Sequence, residues 1–316
     1  MSEQLYYLSN ELYPADADHF PLDWAAVFGR SAPLAVEIGF GNGEYLADWS
    51  RQKPDWNLVG VELSRESALR MLKRFRQQPM PNVRVINDDA RFVLRELFAD
   101  AALAHVVMNF PDPWPKDRHR HRRLIDGQFL ETLGAVLNGE GCYELVTDQE
   151  WYARDAAELF TAAPGFDAAP VEVDPHRPVT TRYERKWLAM GRHTYRLLVR
   201  KRGHRAIDRL LENAAMPHAF VDRPLDETAF RDLIGFEGRG AGWIFVVKAV
   251  YRDVDGAGFL LKVVANDHDY HQNALVQVRP HDGNRWIVRL DPALRPHRTP
   301  SVKAAVAGIG ARLNGA

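Results

Sequence analysis

The sequence predicts an α/β fold: a doubly wound, mostly parallel sheet of the Rossmann-like type, followed by a smaller α+β domain with an antiparallel sheet. In the first two-thirds of the chain, short apolar runs alternate with amphipathic stretches of helical period, as in βαβ units. Beyond Gly203 the apolar runs are joined by turn residues instead, which indicates hairpins. We therefore divide the 316 residues into a first domain over 1–202 and a second over 203–316.

Five apolar runs are predicted to form the parallel strands of the first domain, and a sixth near 193–199 closes it. The five runs are 34–38, 57–63, 82–87, 104–110 and 141–146. Between them, Ser64 is placed to cap a helix that continues to about Gln78. The apolar face predicted for this helix consists of Ala68, Leu69, Leu72 and Phe75, and a further helix contains Phe92, Val93 and Leu97.

In the second domain we predict a helix over about 225–234 and a closing helix over 301–313. The runs 242–252 and 258–266 are joined across DVDGAG, and the runs 274–280 and 284–290 across HDGN. Both connections contain the glycine and aspartate typical of β-hairpin turns.

Composition places the chain among globular proteins. Hydrophobic residues make up 46% of it and the formal net charge is −1, so it is not coated in positive charge. The sequence shows no apolar run of about 18 residues and no signal-peptide pattern, and we therefore predict no membrane association. The single cysteine, Cys142, fits a reducing compartment, and we predict a cytoplasmic protein. The oligomeric state is left open.

A glycine-rich turn follows the first predicted parallel strand. Gly39, Gly41 and Gly43 stand where backbone must approach a ligand closely, and Glu37 precedes them in the strand. A dinucleotide fingerprint would need its third glycine at position 44, where this chain has Glu44. The pattern GxGxG after an acid favours S-adenosylmethionine instead.

Two more acids follow the next two strands. Glu62 ends the second strand, where a carboxylate can accept hydrogen bonds from both hydroxyls of a ribose. Asp89 follows the third strand and is placed to meet the adenine end of the cofactor. Acids at or just beyond the ends of three successive strands predict one binding site at the carboxyl edge of the sheet.

The segment 109–124, NFPDPWPKDRHRHRRL, combines an acidic turn with a basic cluster. Its three prolines predict a stiff loop that holds Asp112 in a fixed place. Behind it stand five cations suited to the phosphates of a polyanion: Lys116, Arg118, Arg120, Arg122 and Arg123. The structural alternative is a rigid connection followed by a solvated helix start. A second basic block, over 177–205, contains ten Lys or Arg and one acid.

Here the sequence resembles a known family. The segments EIGFGNGEYL, GVELS, NDDA, NFPDPWPKDRHRHRRL, VTDQEWY and PVTTRYE are similar, in this order, to the motifs of the bacterial tRNA (guanine-N7-)-methyltransferases. The resemblance covers about residues 30–202 and is most specific in NFPDPWPK and TRYE. Residues after about 203 lie outside the family's usual length, and the basic run is richer in arginine than is usual there.

The resemblance implies a cytoplasmic tRNA-modification enzyme. Its methyltransferase domain would transfer a methyl group from S-adenosylmethionine to N7 of the guanosine at position 46 of tRNA. By their places in the motifs, Glu37, Glu62, Asp89 and Asp112 would serve cofactor binding or catalysis. The glycines of the turn would bind the cofactor. Substrate binding would involve Lys116, Asp148, Thr181, Arg182, Tyr183 and Glu184. The resemblance leaves open whether Asp112 acts on the guanine or only on the cofactor, and whether tRNA is the sole substrate.

The proposed chemistry is simple because N7 of neutral guanine carries a lone pair and needs no general base. Carboxylates at Asp112 and Asp148 can stabilise the positive charge that develops on the ring. The alternative for Asp148 is a cap on the helix that follows. Trp114 is either a stacking platform for a base or an anchor of the loop.

No metal is predicted. The histidine pairs His119/His121 and His268/His271 have no nearby cysteines, and methyl transfer requires no metal.

Two other functions remain possible on sequence grounds. One is a methyltransferase acting on another RNA or a small molecule, and the other is an RNA-binding module that keeps the fold without activity. The second domain has three candidate roles: further tRNA contact, protein association, or stabilisation of the first domain.

Overall fold

In the computed structural model, the described residues are 10–177, 179, 181–212, 215–254 and 258–315. They form two compact units. The first comprises the described residues up to Leu12 together with Pro21–Arg209, and the second comprises Tyr13–Phe20 together with the chain from Leu210 onward.

The first unit is built on a mixed sheet whose described strands are ordered β1-β4-β3-β2-β5-β6-β9-β7, with β8 also paired to β9. Pairs among β1 to β6 are parallel, and the pairs that β9 makes are antiparallel. The strands are β1 Glu11–Leu12, β2 Leu34–Ile38, β3 Asn57–Val61, β4 Val83–Ile86, β5 Leu103–Asn109, β6 Leu137–Thr147, β7 Phe166–Ala168, β8 Glu172–Val173 and β9 Tyr195–Lys201.

Helices connect these strands. They are α1 Trp24–Phe28, α2 Glu44–Gln52, α3 Arg65–Gln77, α4 Ala90–Leu97, α5 Gly127–Val136, α6 Glu150–Ala162 and α7 Arg182–Ala189. Every residue of β2 and β3 is buried, as expected for central strands of a parallel sheet that is covered on both faces. The predicted fold class is confirmed.

Helix α3 shows where the sequence pattern was right and where it was wrong. Ser64 caps it as predicted, because its hydroxyl accepts a hydrogen bond from the amide of Ser67 at 3.3 Å. Leu69, however, is 51% exposed, and Met71 is buried in its place. Met71 lies three residues after Ala68 and thus on the same helical face, whereas Leu69 is turned about 100° away from it.

The last residues of the first unit extend past the predicted domain boundary at 202/203. Gly203 packs against Gly165, whose carbonyl accepts a hydrogen bond from its amide at 3.1 Å. Arg209 donates to the carbonyls of Arg95 and Phe98 at 2.8 and 2.9 Å and to Asp100 at 2.6 Å. These contacts attach residues 203–209 to the parallel-sheet unit.

The second unit contains an antiparallel sheet in the order β10-β15-β14-β13-β12-β11. Its elements are β10 His218–Val221, α8 Glu227–Arg231, β11 Glu237–Gly240, β12 Trp243–Arg252, β13 Phe259–Asp267, β14 Tyr270–Pro280, β15 Trp286–Leu290 and α9 Pro300–Asn314. The pairing of β12 with β13 and of β14 with β15 confirms the two predicted hairpins. The predicted turn residues 255–257 lie outside the described part of the chain.

Helix α9 packs on this sheet through small residues. A Cβ atom added at Gly310 would stand 2.5 Å from the Cβ of Ala219, and one added at Gly308 would stand 3.0 Å from the ring of Phe245. These glycines therefore allow a close approach that offsets their low helix propensity. The N-terminal segment Tyr13–Phe20 joins the same unit, since Arg298 donates to the carbonyls of Ala15 and Ala17 at 2.7 and 2.8 Å.

Among the described residues, the helices are all too short or too polar to cross a lipid bilayer.

Candidate active site

A cavity of about 360 Å³ opens at the carboxyl ends of β2, β5 and β6. From β2 the chain proceeds to β3 and β4 on one side, and then crosses to β5 on the other side of β2. The cavity thus lies at the topological switch point, where ligands of open α/β sheets bind. The described part of its wall consists of Glu37, Gly39, Phe40, Gly41, Asn42, Glu44, Tyr45, Asn109, Phe110, Pro111, Asp112, Pro113, Asp148, Thr181 and Trp187.

The glycine turn forms one wall. Gly39, Gly41 and Gly43 have φ angles of +69°, +52° and +69°. Residues other than glycine rarely adopt such left-handed conformations. At Gly43 a Cβ atom would also stand 2.1 Å from the sulfur of Met71. The left-handed backbone therefore favours glycine at all three positions, and the Met71 side chain is a second reason at Gly43 only. The turn presents bare backbone to the cavity.

Glu37 lies at the floor of the cavity. Its side chain is buried, and Oε1 accepts a hydrogen bond from the amide nitrogen of Asn109 at 3.2 Å. Its other oxygen, Oε2, is buried and has no hydrogen-bond partner among the described residues. Burial raises the pKa of Glu37 to about 8, and the amide of Asn109 and the cation of Arg177 oppose that rise.

Glu62 and Asp89 follow β3 and β4 along the same edge of the sheet, outside the described cavity wall. The two oxygens of Glu62 accept hydrogen bonds from the backbone amides of Gly41 at 2.9 Å and Ser64 at 2.8 Å. Glu62 therefore fixes the glycine turn. Asp89 caps α4 by accepting from the amide of Arg91 at 2.7 Å.

The proline loop that follows β5 forms the opposite wall. Phe110 and Trp114 have φ angles of +50° and +44°, so non-glycine residues in the left-handed region stand on both sides of Asp112. The amide of Phe110 donates to the carbonyl of Val146 at 2.7 Å. Asp112 is an exposed residue of this wall, and no ion pair joins it to a described residue.

Asp148 faces the cavity from the end of β6. Its Oδ2 accepts from the side-chain amide of Gln149 at 3.0 Å and lies 3.9 Å from the guanidinium of Arg192. The N-cap of α6 is Gln149, without a capping side chain. The alternative that Asp148 caps this helix is therefore wrong.

The segment Thr181–Glu184 begins α7 as a capping box. The hydroxyl of Thr181 accepts from the amide of Glu184 at 3.0 Å, and Oε2 of Glu184 accepts from the amide of Thr181 at 3.2 Å. Thr181 also lines the cavity. Glu184 is buried and forms an ion pair with Arg177 at 3.1 Å. The side chains of Arg182 and Tyr183 lie outside the described part of the chain.

The basic cluster separates into two kinds of residue. Lys116, Arg118, Arg120 and Arg122 are exposed, and most of them lie in a 3-10 helix at Asp117–Arg122. The side chain of Arg123 is only 10% exposed. It donates to the carbonyl of Trp114 at 3.3 and 3.1 Å and covers the ring of Trp151 at 4.7 Å. Arg123 therefore anchors the loop, contrary to the phosphate contact predicted for it.

Trp114 is half-buried in this loop. The guanidinium of Arg122 lies 4.7 Å from the centre of its ring, and the edge of His119 approaches at 5.6 Å.

The cations of the second basic block, over 177–205, also differ in how far they are exposed. Its cations Arg177 and Lys201 are buried. Because β9 is antiparallel to β6, Arg196 pairs in register with Val146, whereas Arg200 pairs with Cys142 at the opposite edge. The last residues of this block therefore lie away from the carboxyl edge of the sheet.

Three cavity-associated residues were not predicted individually. Asn109 and Tyr45 line the wall, and Arg177 lies behind them. Asn109 ends a strand at the carboxyl edge, which is a position that the sequence does reveal. Arg177 has no such signal, because only the folded chain shows that this arginine of a basic block is buried.

Within the described residues, no group of three or more His, Cys, Asp or Glu is arranged to hold a metal ion.

The switch-point cavity, the glycine turn and the acids after successive strands define the class as a Rossmann-like methyltransferase. A family model described as "Putative methyltransferase" matches residues 31–197. The tRNA (guanine-N(7)-)-methyltransferase of Thermotoga maritima is 41% identical over 295 residues, which cover 93% of this chain and 93% of that protein. The chain belongs to the tRNA (guanine-N7-)-methyltransferase family.

Two further relatives of the same name show how far the similarity extends. The Thermus thermophilus protein is 34% identical over 281 residues, 84% of each chain. The Saccharophagus degradans protein is 38% identical over 176 residues, which cover 54% of this chain and 76% of that protein. Since the match to the Thermotoga maritima protein covers 93% of this chain, it includes most of the residues after 203. That part is therefore shared with at least one member of the family.

Proposed function

We propose that this protein transfers the methyl group of S-adenosylmethionine to N7 of a guanosine in tRNA. The observation that carries the proposal is that one cavity at the switch point has the GxGxG turn on one wall and the Asp112 loop on the other. The first wall suits the cofactor and the second suits the methyl acceptor. The names of the relatives support tRNA as the substrate.

The residues present fit the cofactor. A buried carboxylate oxygen without a protein partner, Oε2 of Glu37, suits the ammonium group of the methionine part. Glu62, held by the amides of Gly41 and Ser64, retains acceptor capacity for ribose hydroxyls. Asp89 would contribute at the adenine end. The cofactor, when bound, supplies a methyl group on a positively charged sulfur.

The chain's own task at the acceptor is alignment and charge stabilisation. Guanine N7 attacks with its lone pair, so no residue needs to remove a proton, and the purine ring becomes positively charged. Asp112 has no ion pair with a described residue, whereas Asp148 lies near Arg192 at 3.9 Å. We therefore assign the main stabilising charge to Asp112 and a secondary one to Asp148.

The RNA would be held outside the cavity. Exposed Lys116 is suited to a phosphate, and Thr181 lies at the cavity wall. Glu184 would act through the start of α7, and Arg182 and Tyr183 keep the substrate role that the family resemblance implies. The same resemblance supports the guanosine at position 46 as the target and the cytoplasm as the location. We propose that no metal takes part.

The deciding experiment is a methyl-transfer assay with two synthetic tRNAs that differ only at position 46. The first carries guanosine at position 46, and the second carries 7-deazaguanosine there, which lacks the attacking nitrogen. We expect methylation of the first and none of the second. Equal methylation of both would place the reaction elsewhere on the RNA. If neither is methylated although S-adenosylmethionine binds, the protein is an RNA-binding module or acts on another substrate.

Glu62→Ala is expected to weaken S-adenosylmethionine binding, because it removes a ribose acceptor and also frees the amides of Gly41 and Ser64. Loss of charge-assisted hydrogen bonds worth roughly 1.5–3 kcal/mol corresponds to a Kd about 10- to 150-fold higher. Calorimetric titration measures it. Glu66→Ala, on the exposed face of α3, is the control. A Kd equal to that of the parent would refute the assignment of Glu62.

S-adenosylmethionine binding should also depend on pH through Glu37. In the free protein, burial raises the pKa of Glu37 to about 8, so this carboxyl is largely protonated near neutral pH. Pairing with an ammonium group favours the ionised form, so binding must release a proton below that pKa. We expect the Kd to fall as the pH rises from about 6 to about 8, by at most about tenfold per pH unit.

Calorimetry in buffers of different ionisation enthalpy would count the released protons. Glu37→Gln should weaken binding and remove this component of the pH dependence. If the variant keeps the full slope, the titrating group is not Glu37.

A further inference from the structure

Arg177 is a buried cation at the centre of the first unit's polar network. Its side chain is only 2% exposed, and its three nitrogens face three different partners. Nη2 donates to Oδ1 of Asn109 at 2.7 Å, Nη1 donates to Oε2 of Glu184 at 3.1 Å, and Nε lies 3.3 Å from Oε1 of Glu144. Its guanidinium also lies 5.0 Å from the ring centre of Tyr45. A lysine has one charged nitrogen and cannot reproduce this arrangement.

The contact with Asn109 fixes which way its amide faces. Because Arg177 can only donate, Oδ1 of Asn109 must face it, and Nδ2 then faces Oε1 of Glu37 at 3.2 Å. An amide turned the other way would set its NH2 group against the guanidinium of Arg177, and two donors would then face each other. Arg177 therefore orients the side-chain hydrogen bond that Asn109 donates to Glu37, while Oε2 of Glu37 accepts no hydrogen bond from the described residues.

The contact with Glu184 acts on the other side of the network. The same oxygen, Oε2, accepts from Arg177 and from the backbone amide of Thr181 at 3.2 Å. Arg177 thus fixes the carboxylate of Glu184, which forms the capping box at the start of α7 with the cavity-wall residue Thr181. One buried guanidinium serves both the floor of the cavity and the helix that bears the TRYE segment.

We propose that Arg177 is a positioning residue for methyl transfer, which orients Glu37 through Asn109 and the start of α7 through Glu184. The inference rests on the proposed function. It assigns to Arg177 two separable effects, one on cofactor binding and one on tRNA binding. It also explains why an arginine just before the TRYE segment is buried when most of its basic block is not.

The test compares Arg177→Gln, Arg177→Lys, Asn109→Ala and Glu184→Gln, with Arg209→Gln as the matched control. Arg209 is also a largely buried arginine with three hydrogen bonds, to Arg95, Phe98 and Asp100, and none of these partners belongs to the cavity wall. For each variant, calorimetry gives the S-adenosylmethionine Kd, steady-state assays give the tRNA KM and kcat, and thermal unfolding gives Tm.

Asn109→Ala should raise mainly the cofactor Kd, and Glu184→Gln mainly the tRNA KM. We expect Arg177→Gln to raise both by about tenfold, the size expected for losing a hydrogen bond to a charged group. Arg177→Lys should recover part of both losses. The double variant Asn109→Ala/Arg177→Gln should bind the cofactor no more than about twofold more weakly than Arg177→Gln, because residues of one network are not additive. Arg209→Gln should lower Tm and leave Kd and KM unchanged.

If Arg177→Gln lowers Tm as Arg209→Gln does but keeps the parent Kd and KM, Arg177 has only a structural role and the inference is wrong. If it does not fold, Arg177→Lys and Asn109→Ala still decide: parent values for both would overturn the inference. Failure of the proposed function looks different. In that case the parent would not methylate tRNA, while the cofactor measurements would still test the Asn109 contact.

Discussion

Replacing Asp112 by alanine is expected to lower kcat for tRNA methylation by about 100-fold or more, while S-adenosylmethionine still binds with the parent affinity. This is the range measured when one preorganised electrostatic group is removed from an active site. The structural reason is that Asp112 lies in the acceptor-side wall of the cavity, on a loop held at both ends by Phe110 and Trp114. It has no ion pair with a described residue that would compete for its charge.

Single-turnover methylation and calorimetric cofactor binding check this prediction. Asp117→Ala is the control, since Asp117 is an exposed acid that follows the same loop. Normal turnover by Asp112→Ala would remove Asp112 from the mechanism. A large rise in the cofactor Kd with little further loss of kcat would assign Asp112 to the cofactor instead of the guanine.

The second large effect is expected from Arg118→Ala/Arg120→Ala/Arg122→Ala. All three arginines are exposed on the 3-10 helix that follows the Asp112 loop. If each contacts one phosphate, the slope of log K against log salt should become shallower by roughly 0.7–0.9 per lost contact. Affinity for tRNA should fall at every salt concentration of the titration, and cofactor affinity should not change.

Filter binding or fluorescence titration over a series of salt concentrations measures the slope. The control is Arg51→Ala/Lys73→Ala/Arg76→Ala, which removes three exposed cations from the C-terminal halves of α2 and α3. These halves lie away from the carboxyl edge, so the control should keep the parent slope. Equal slopes for both triple variants would mean that the arginines of the 3-10 helix are only solvated.

The sequence predicted the central elements well because they are strongly patterned. The run 34–38 was predicted with the bounds that β2 has, since continuous apolar residues between turn signals describe a fully buried strand. The direction of β9 was not predicted. A short apolar run shows that a strand exists, but its pairing partner depends on long-range packing.

The second unit shows the same limit. Its hairpins were predicted from local turn chemistry, whereas β10 and β11 were missed, because each has only four residues and no sustained alternation. The attachment of Tyr13–Phe20 to residues that follow Leu210 is likewise invisible in the sequence. This attachment depends on the hydrogen bonds that Arg298 donates to the carbonyls of Ala15 and Ala17 in the folded unit.

For the candidate site, the sequence located the acids and glycines because each follows a strand at one edge of a parallel sheet. It did not reveal what surrounds them. Glu62 and Asp89 also bind backbone amides, and Arg123 supports the loop instead of facing solvent. These second roles arise from contacts between segments far apart in the chain.

The left-handed backbone of Phe110 and Trp114 affects which substitutions can raise the melting temperature of this protein. Such conformations cost about 1–3 kcal/mol each in non-glycine residues, and glycine would remove most of that cost. At Trp114, however, glycine would also delete the ring that Arg122 and His119 contact, so the strain relieved in the backbone is offset by the packing that is lost. The same substitutions would loosen the acidic loop between them, so variants that gain melting temperature here should lose activity, and adaptation to heat is expected to proceed elsewhere in the chain.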